Sequence, residues 1–294
     1  MKKRCKLIIS LVIIILIILT TKMIFLKKDY LIDLGYSIDE SKIIKGNLPR
    51  TEVKKIDKYY KYLKEYSYVS YFHIENIERY DKLKESTNYN NNELIMRVNI
   101  GVDKPYYTNV KTIENPNDVL VLVNKYNAFP NGYVPKDLMM VESTYMRSDA
   151  AIHMLDMVKA MRNEGLTVIL HSGYRSEKTQ ENLYNRYVKR DGKEKADTYS
   201  ARPSHSEHQS GLAMDLSNNW ALEEVFENTK EFAWLKEHAH EYGYILRYKK
   251  GKEDITGYTY EPWHYRYVGV DIATKIHDEN LTFEEYYVLY MNYY

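Results

Sequence analysis

"PSHSEHQSGLAMDLS", Pro203 to Ser217, passes from a polar stretch holding two histidines and a glutamate to an apolar one with a single carboxylate. Its second half decides the fold. In "GLAMDLS", Leu212, Met214 and Leu216 alternate with Gly211, Ala213 and Asp215, the period of a strand with one face on a core. The opposite face carries two very small side chains and Asp215, which leaves room beside the carboxylate for a hydrated ion. His208 lies seven residues before Asp215, and a turn through Gln209 and Ser210 folds its imidazole back over that carboxylate.

The flanking segments follow a regular pattern. Residues 149–165 have apolar positions at helical spacing and a stop at Gly165. "LTVILH", residues 166–171, is a short β-branched strand, and residues 176–190 form a helix with Ser176 as N-cap. Downstream come a helix ended by Gly243, a strand in "YGYILRY" and another in "TYEPWHYRYVG". Helices and strands mix without strict alternation, which favours an α+β fold with a mostly antiparallel sheet. A doubly wound parallel sheet with a glycine-rich phosphate loop is disfavoured, because the loop is missing from the sequence. Further upstream, "ELIMRVNIGV", residues 93–102, reads as a strand.

A catalytic zinc site usually takes three protein ligands and keeps one open position. The third candidate lies in "EPWHYRY". Here His264 and Arg266 share one face, and Trp263, Tyr265 and Tyr267 take the other. Strict alternation would set Glu261 opposite His264, but Pro262 breaks the ladder and permits a bend that brings the two together. Two imidazoles, one carboxylate and a nearby non-ligand glutamate form the set that zinc hydrolysis needs. Arg175, in "GYRS", follows a strand on a Ser-Gly turn at a helix start. A guanidinium there can fork onto a carboxylate, and the helix N-terminus adds attraction for negative charge.

"SGYRSEKTQ", "SEHQSGLAMD" and "EPWHYRYVG", in that order, resemble the VanY-type D-alanyl-D-alanine carboxypeptidases. These belong to a wider zinc family that includes the D-Ala-D-Ala dipeptidases and the hedgehog signalling domain. The likeness covers roughly Asn124 to Val270. It implies one Zn2+ per chain, bound by His208, Asp215 and His264, with Glu261 as general base and then acid. Arg175 matches the arginine that contacts the substrate near the scissile carbonyl or its terminal carboxylate. Gln180 and Ser206 match positions that help hold that carboxylate. The implied activity is removal of the terminal D-alanine from peptidoglycan stem peptides. The alternatives are L,D-carboxypeptidase action on tetrapeptide stems, D,D-dipeptidase action, or a non-catalytic wall-binding module. The remaining histidines have bland readings: His205 falls outside the pattern, His238 and His240 suit a helix surface, and His171 suits either the cleft or a packed role.

The N-terminus bears on location. Lys2, Lys3, Arg4 and Lys6 precede an apolar run from Leu7 to Leu26, interrupted only by Lys22 near its far end. About 20 apolar residues span a bilayer, and flanking positive charge holds the N-terminus in the cytoplasm. No small-x-small site follows, so the expectation is a retained single-pass anchor with the catalytic domain outside the cell rather than a cleaved signal. Cys5 is the only cysteine, which excludes an internal disulfide. Lys+Arg 42 against Asp+Glu 41 argues against nucleic acid as a partner. The expected organisation is a cytoplasmic tail (1–6), an anchor (7–26), a helical stalk or linker module (27–92), the catalytic domain (93–280) and a C-terminal helix (281–294). Within the stalk, residues 51–66 and 72–86 each read as one amphipathic helix.

Overall fold

The computed structural model describes residues 29–218 and 226–291. The apolar run at 7–26, and with it the expected anchor, lies outside them. Among the described residues no helix is long and apolar enough to cross a membrane. The chain divides into two compact units, one ending at Ile95 and one running from Met96.

The first unit is helical: α1 (Tyr30–Asp33), α2 (Ile38–Asn47), α3 (Arg50–Val53), α4 (Leu63–Tyr66) and α5 (Ile77–Ser86). It buries its own core, in which Tyr66, Phe72 and Tyr80 meet with ring centroids 5.6–6.1 Å apart. The single helix expected over 51–66 is instead two short turns, α3 and α4. Between them the Tyr60 amide donates to the Tyr36 hydroxyl at 2.7 Å, so a tertiary contact replaces the helical hydrogen bond. The strand expected at 93–102 is also corrected. It is a helix, α6 (Asn91–Ile100), with Leu94, Ile95 and Val98 buried on one face. The Asn90 carboxamide accepts from the Glu93 amide at 3.0 Å and so caps the helix start.

The second unit contains strands β1 (Lys111–Thr112), β2 (Asn127–Ala128), β3 (Leu138–Val141), β4 (Thr144–Arg147), β5 (Ile169–Ser172), β6 (Ala213–Ser217), β7 (Tyr244–Leu246) and β8 (His264–Tyr267). Helices α7 (Ser148–Asn163), α8 (Glu177–Asp191), α9 (Lys193–Tyr199), α10 (Lys230–His238), α11 (Glu253–Thr256), α12 (Val270–Asp278) and α13 (Phe283–Tyr290) surround them. The main sheet has the order β5-β6-β8-β7, and every neighbour is antiparallel. β3 and β4 form an antiparallel hairpin, and β1 pairs with β2 in parallel.

One face of the sheet makes the core. Leu212, Met214, Leu216, Tyr265 and Tyr267 pack there against Met154, Met157, Val158 and Met161 of α7. That is the apolar half of the alternation in both "GLAMDLS" and "HYRY". The polar half, Asp215 with His264 and Arg266, is therefore directed to the other face. There it is also buried.

Candidate active site

The register of β6 on β8 pairs Asp215 directly with His264, and β5 on β6 pairs Ser172 with Asp215. Directly opposite residues have Cβ atoms about 4.5–5.5 Å apart, so pairing alone brings these two side chains together. His208 arrives from a 3-10 turn, Glu207–Ser210, that ends at Gly211 with φ +69. The Gly211 amide closes the turn by donating to the His208 carbonyl at 3.2 Å. A side chain at Gly211 would meet Arg147 and Leu138 at 3.1 Å in addition to needing the left-handed region, so glycine is what allows the chain to fold back here.

One donor atom each from His208, Asp215 and His264 lies within 4.8 Å of the others. His208 Nε2 is 3.2 Å from Asp215 Oδ2, and His264 Nδ1 is 3.1 Å from Asp215 Oδ1. The other nitrogen of each ring is already engaged. His208 Nδ1 donates to the Gly173 carbonyl at 2.8 Å, and His264 Nε2 faces Glu207 Oε2 at 3.4 Å. These partners leave His208 Nε2 and His264 Nδ1 as the nitrogens directed at Asp215. Gly173 can present its carbonyl only because it lacks a side chain: a Cβ there would sit 2.3 Å from the Tyr145 carbonyl oxygen.

Glu261 joins the cluster through the bend at Pro262. The chain turns before β8, the His264 amide donates to the Glu261 carbonyl at 3.2 Å, and Glu261 Oε2 lies 3.5 Å from His264 Nδ1. Arg175 precedes α8, whose N-cap is Ser176, accepting from the Thr179 amide. The Arg175 guanidinium donates to Gln180 Oε1 at 2.8 Å and to Ser172 Oγ at 2.9 Å, and reaches within 3.7 Å of Asp215. Gln180 is buried and uses its other end to donate to the Ala201 carbonyl at 2.7 Å. It therefore braces Arg175 against the segment that leads to Ser206. Arg175, Gln180, Ser206, His208, Asp215, Glu261 and His264 all line one cleft of about 430 Å³.

The charges are strongly coupled. Burial works against the Asp215 carboxylate, but His208 and His264 outweigh it and hold the group well below the usual carboxylate range. Burial also works against a charged His264, yet the Asp215 and Glu207 carboxylates beside it raise it to about 9. His208 moves the other way, lowered chiefly by burial. Burial pushes Glu261 up to about 8, where a carboxyl can exchange a proton near neutrality. Glu207 is buried too, but Arg247 and Arg266 hold it ionised, well below the ordinary range.

The other histidines lie apart from this cluster. His205 Nδ1 bonds the Asn124 carbonyl at 2.7 Å, His171 Nε2 bonds Ser217 Oγ at 2.9 Å, and His238 pairs with Glu241. Sequence reasoning missed Glu207, Ser172 and Gly173. Glu207 is a lone glutamate between a serine and a histidine, and the arginines that identify it as buried are 40 and 59 residues away.

Residues 143–270 match the VanY family model, D-alanyl-D-alanine carboxypeptidase. The chain is 40% identical over 205 residues to the putative carboxypeptidase YodJ of Bacillus subtilis (strain 168), covering 63% of this chain and 75% of that one. Among solved structures, it is similar to the LD-carboxypeptidase LdcB, with a TM-score of 0.58 and 42% identity over 61% of this chain and 90% of that one. It is also similar to the vancomycin-resistance D,D-pentapeptidase VanY, solved in complex with Zn(II). There the TM-score is 0.51, at 34% identity over 57% of this chain and 98% of that one.

Proposed function

The chain belongs to the VanY family of carboxypeptidases, and from that premise we propose that it removes the terminal D-alanine from peptidoglycan stem peptides, using one zinc ion held by His208, Asp215 and His264. The observation that carries this reading is the cross-strand pairing of Asp215 with His264 under His208, with Glu261 alongside. The donor set fits zinc. Two imidazole nitrogens and a carboxylate make a borderline-soft set, and three protein ligands are the usual catalytic number. The buried Asp215 Oδ1 accepts no hydrogen bond, although His264 Nδ1 lies 3.1 Å away. With a metal ion there, His264 Nδ1 and Asp215 Oδ1 would both direct lone pairs at it; without one, a proton held on the ring takes that place.

Zinc held by His208, Asp215 and His264 would supply Lewis acidity for a peptide carbonyl and for a water whose pKa would fall to about 7. Glu261 takes the proton from the attacking water as the new C–O bond forms. It returns that proton to the nitrogen of the departing D-alanine as the C–N bond breaks. A carboxyl raised to about 8 holds such a proton readily; a neighbouring cation draws it back toward the ionised form that begins the cycle. Arg175, fixed by Gln180 and Ser172, offers guanidinium N–H groups to the substrate's terminal carboxylate or to the developing oxyanion. Ser206 lies in the same cleft, within the segment braced by Gln180.

The likeness to LdcB supports a second reading, L,D-carboxypeptidase action on tetrapeptide stems. Mass spectrometry of defined muropeptides separates the two. Conversion of pentapeptide stems to tetrapeptides, abolished by chelator and restored by zinc, is the expected result. Conversion of tetrapeptides to tripeptides alone selects the second reading, and no chelator-sensitive cleavage of either contradicts both. The apolar run 7–26 is proposed as a retained anchor that keeps the catalytic unit outside the cytoplasm, where this substrate lies. Release of the full chain from membranes by alkaline carbonate would contradict it.

A further inference from the structure

Behind His264 lies a set of buried charges that the hydrolytic scheme does not use. Glu207, Arg247, Arg266 and Glu284 are each 0–2% exposed. Glu207 Oε1 accepts from Arg247 Nε and from Arg266 Nη1, both at 2.8 Å, while Oε2 faces His264 Nε2 at 3.4 Å. Arg247 spends its other two nitrogens on Glu284, Nη1 to Oε2 at 2.8 Å and Nη2 to Oε1 at 2.6 Å. Arg266 is held by backbone: it donates to the carbonyls of Tyr267, Val119 and Val121 at 2.8–3.0 Å. Two guanidinium groups and two carboxylates balance, so the cluster is itself neutral.

Buried ion pairs survive only when geometry and hydrogen bonding are close to complete, because taking each charge from water costs several kcal/mol. A set this fully satisfied fixes its members to a single arrangement. It reaches the cleft through Glu207 Oε2, which faces a ring nitrogen of His264. A carboxylate at that position keeps the proton on Nε2 and fixes the ring plane, leaving Nδ1 free toward Asp215.

We propose that Glu207 is a positioning residue for His264, and that Arg247 and Arg266 fix Glu207 in place, Arg247 being locked in turn by Glu284 on α13. The C-terminal helix, which lies beyond the family match at 143–270, is thereby part of the apparatus that presents the metal ligand. The inference rests on the zinc reading above and deepens it: it assigns which nitrogen of His264 faces the ion and what holds it there.

The test measures zinc affinity by competition with a chromophoric chelator, alongside the melting temperature of the chelated protein. Glu207→Gln is expected to weaken zinc about 10–100-fold. A purely structural role would lower the melting temperature and leave the affinity of the folded fraction unchanged, which overturns the proposal. Glu284→Gln is expected to weaken zinc in the same direction by less; wild-type affinity in that variant removes α13 from the apparatus. Because Glu207→Gln leaves two buried arginines facing an uncharged amide and can fail to fold, the decisive measurement uses the wild-type chain. Long-range 15N–1H spectra of the zinc-loaded protein are expected to show His264 protonated at Nε2 and coordinated through Nδ1. Coordination through Nε2 overturns the proposal while leaving the zinc reading intact. Failure of the wild-type chain to bind zinc at all defeats the zinc reading, and this inference with it.

Discussion

Glu261 is the residue on which turnover depends in this account, and it does not serve as a ligand. Replacing it by Gln keeps the shape and removes the proton acceptor. Glu261→Gln is expected to retain zinc at wild-type stoichiometry and to lose about 10²–10⁴-fold in kcat on stem peptides. Near wild-type turnover would remove Glu261 from the mechanism. Gly173 makes a sharper steric claim. An added Cβ would stand 2.3 Å from the Tyr145 carbonyl oxygen, so the backbone that offers its carbonyl to His208 must move. Gly173→Ala is expected to cost about 1–3 kcal/mol in urea unfolding, the usual range for overpacking, and to weaken zinc as well. An unchanged denaturation midpoint would contradict the close approach. Gln180 shows where residue-level reading stops short. The resemblance gives it a place near the substrate carboxylate, and the contacts add that both ends of its amide are committed, one to Arg175 and the other to Ala201.

At the scale of elements, the local half of the fold was legible and the non-local half was not. Alternation in "GLAMDLS" and "HYRY" separates core from polar face, and Ser176 marks the start of α8 because its hydroxyl caps the Thr179 amide. Ser176→Ala is expected to cost about 1 kcal/mol of stability in a denaturant titration, and a change near zero would show the cap to be idle. The strand order β5-β6-β8-β7 and the register that sets Asp215 against His264 could not be read, because pairing between strands about 50 residues apart leaves no trace in either strand alone. The bend at Pro262 was foreseeable as an option, since a proline that cannot donate ends a ladder. α6 was misread for a different reason. "ELIMRVNIGV" is β-branched enough to suggest a strand, and its helical start lies in the asparagine preceding it, whose carboxamide caps the Glu93 amide. Glu207 stayed hidden because a glutamate in a loop is ordinarily solvated. Only the fold brings Arg247, Arg266 and Glu284 around it.

Across the whole molecule, a buried lysine and the proposed metal site each tie stability to solution conditions. Burial pulls Lys125 down to about 7 from the ordinary lysine value of 10.5. Its ammonium donates to the Asp197 carbonyl and sits over the rings of Tyr258, Tyr106 and Tyr107, at 3.9, 4.8 and 5.1 Å from their centroids. Between about 7 and 10.5 the unfolded chain therefore binds a proton here that the folded chain does not. This group's contribution to stability rises with pH across that window and is least favourable below it. Denaturant melts at pH 7 and pH 9 are expected to show a change in stability across that window that is less favourable in Lys125→Met than in the wild-type chain; an equal change in both would contradict the assignment. A metal held at the proposed site would act through the same linkage. Zinc that binds only the folded chain stabilises by about 2.7 kcal/mol at 100 times its Kd, so the melting temperature is expected to climb with free zinc and fall on chelation. A melting temperature indifferent to both would weigh against the site.

The most direct test of the central claim is a crystal of the zinc-loaded chain with data collected on both sides of the zinc absorption edge. The expected result is a single anomalous peak about 2.0–2.2 Å from His208 Nε2, an Asp215 carboxylate oxygen and His264 Nδ1, with Glu261 beside it but not bonded to it. Zinc bound elsewhere, or no peak among these three residues at saturating metal, would contradict the account.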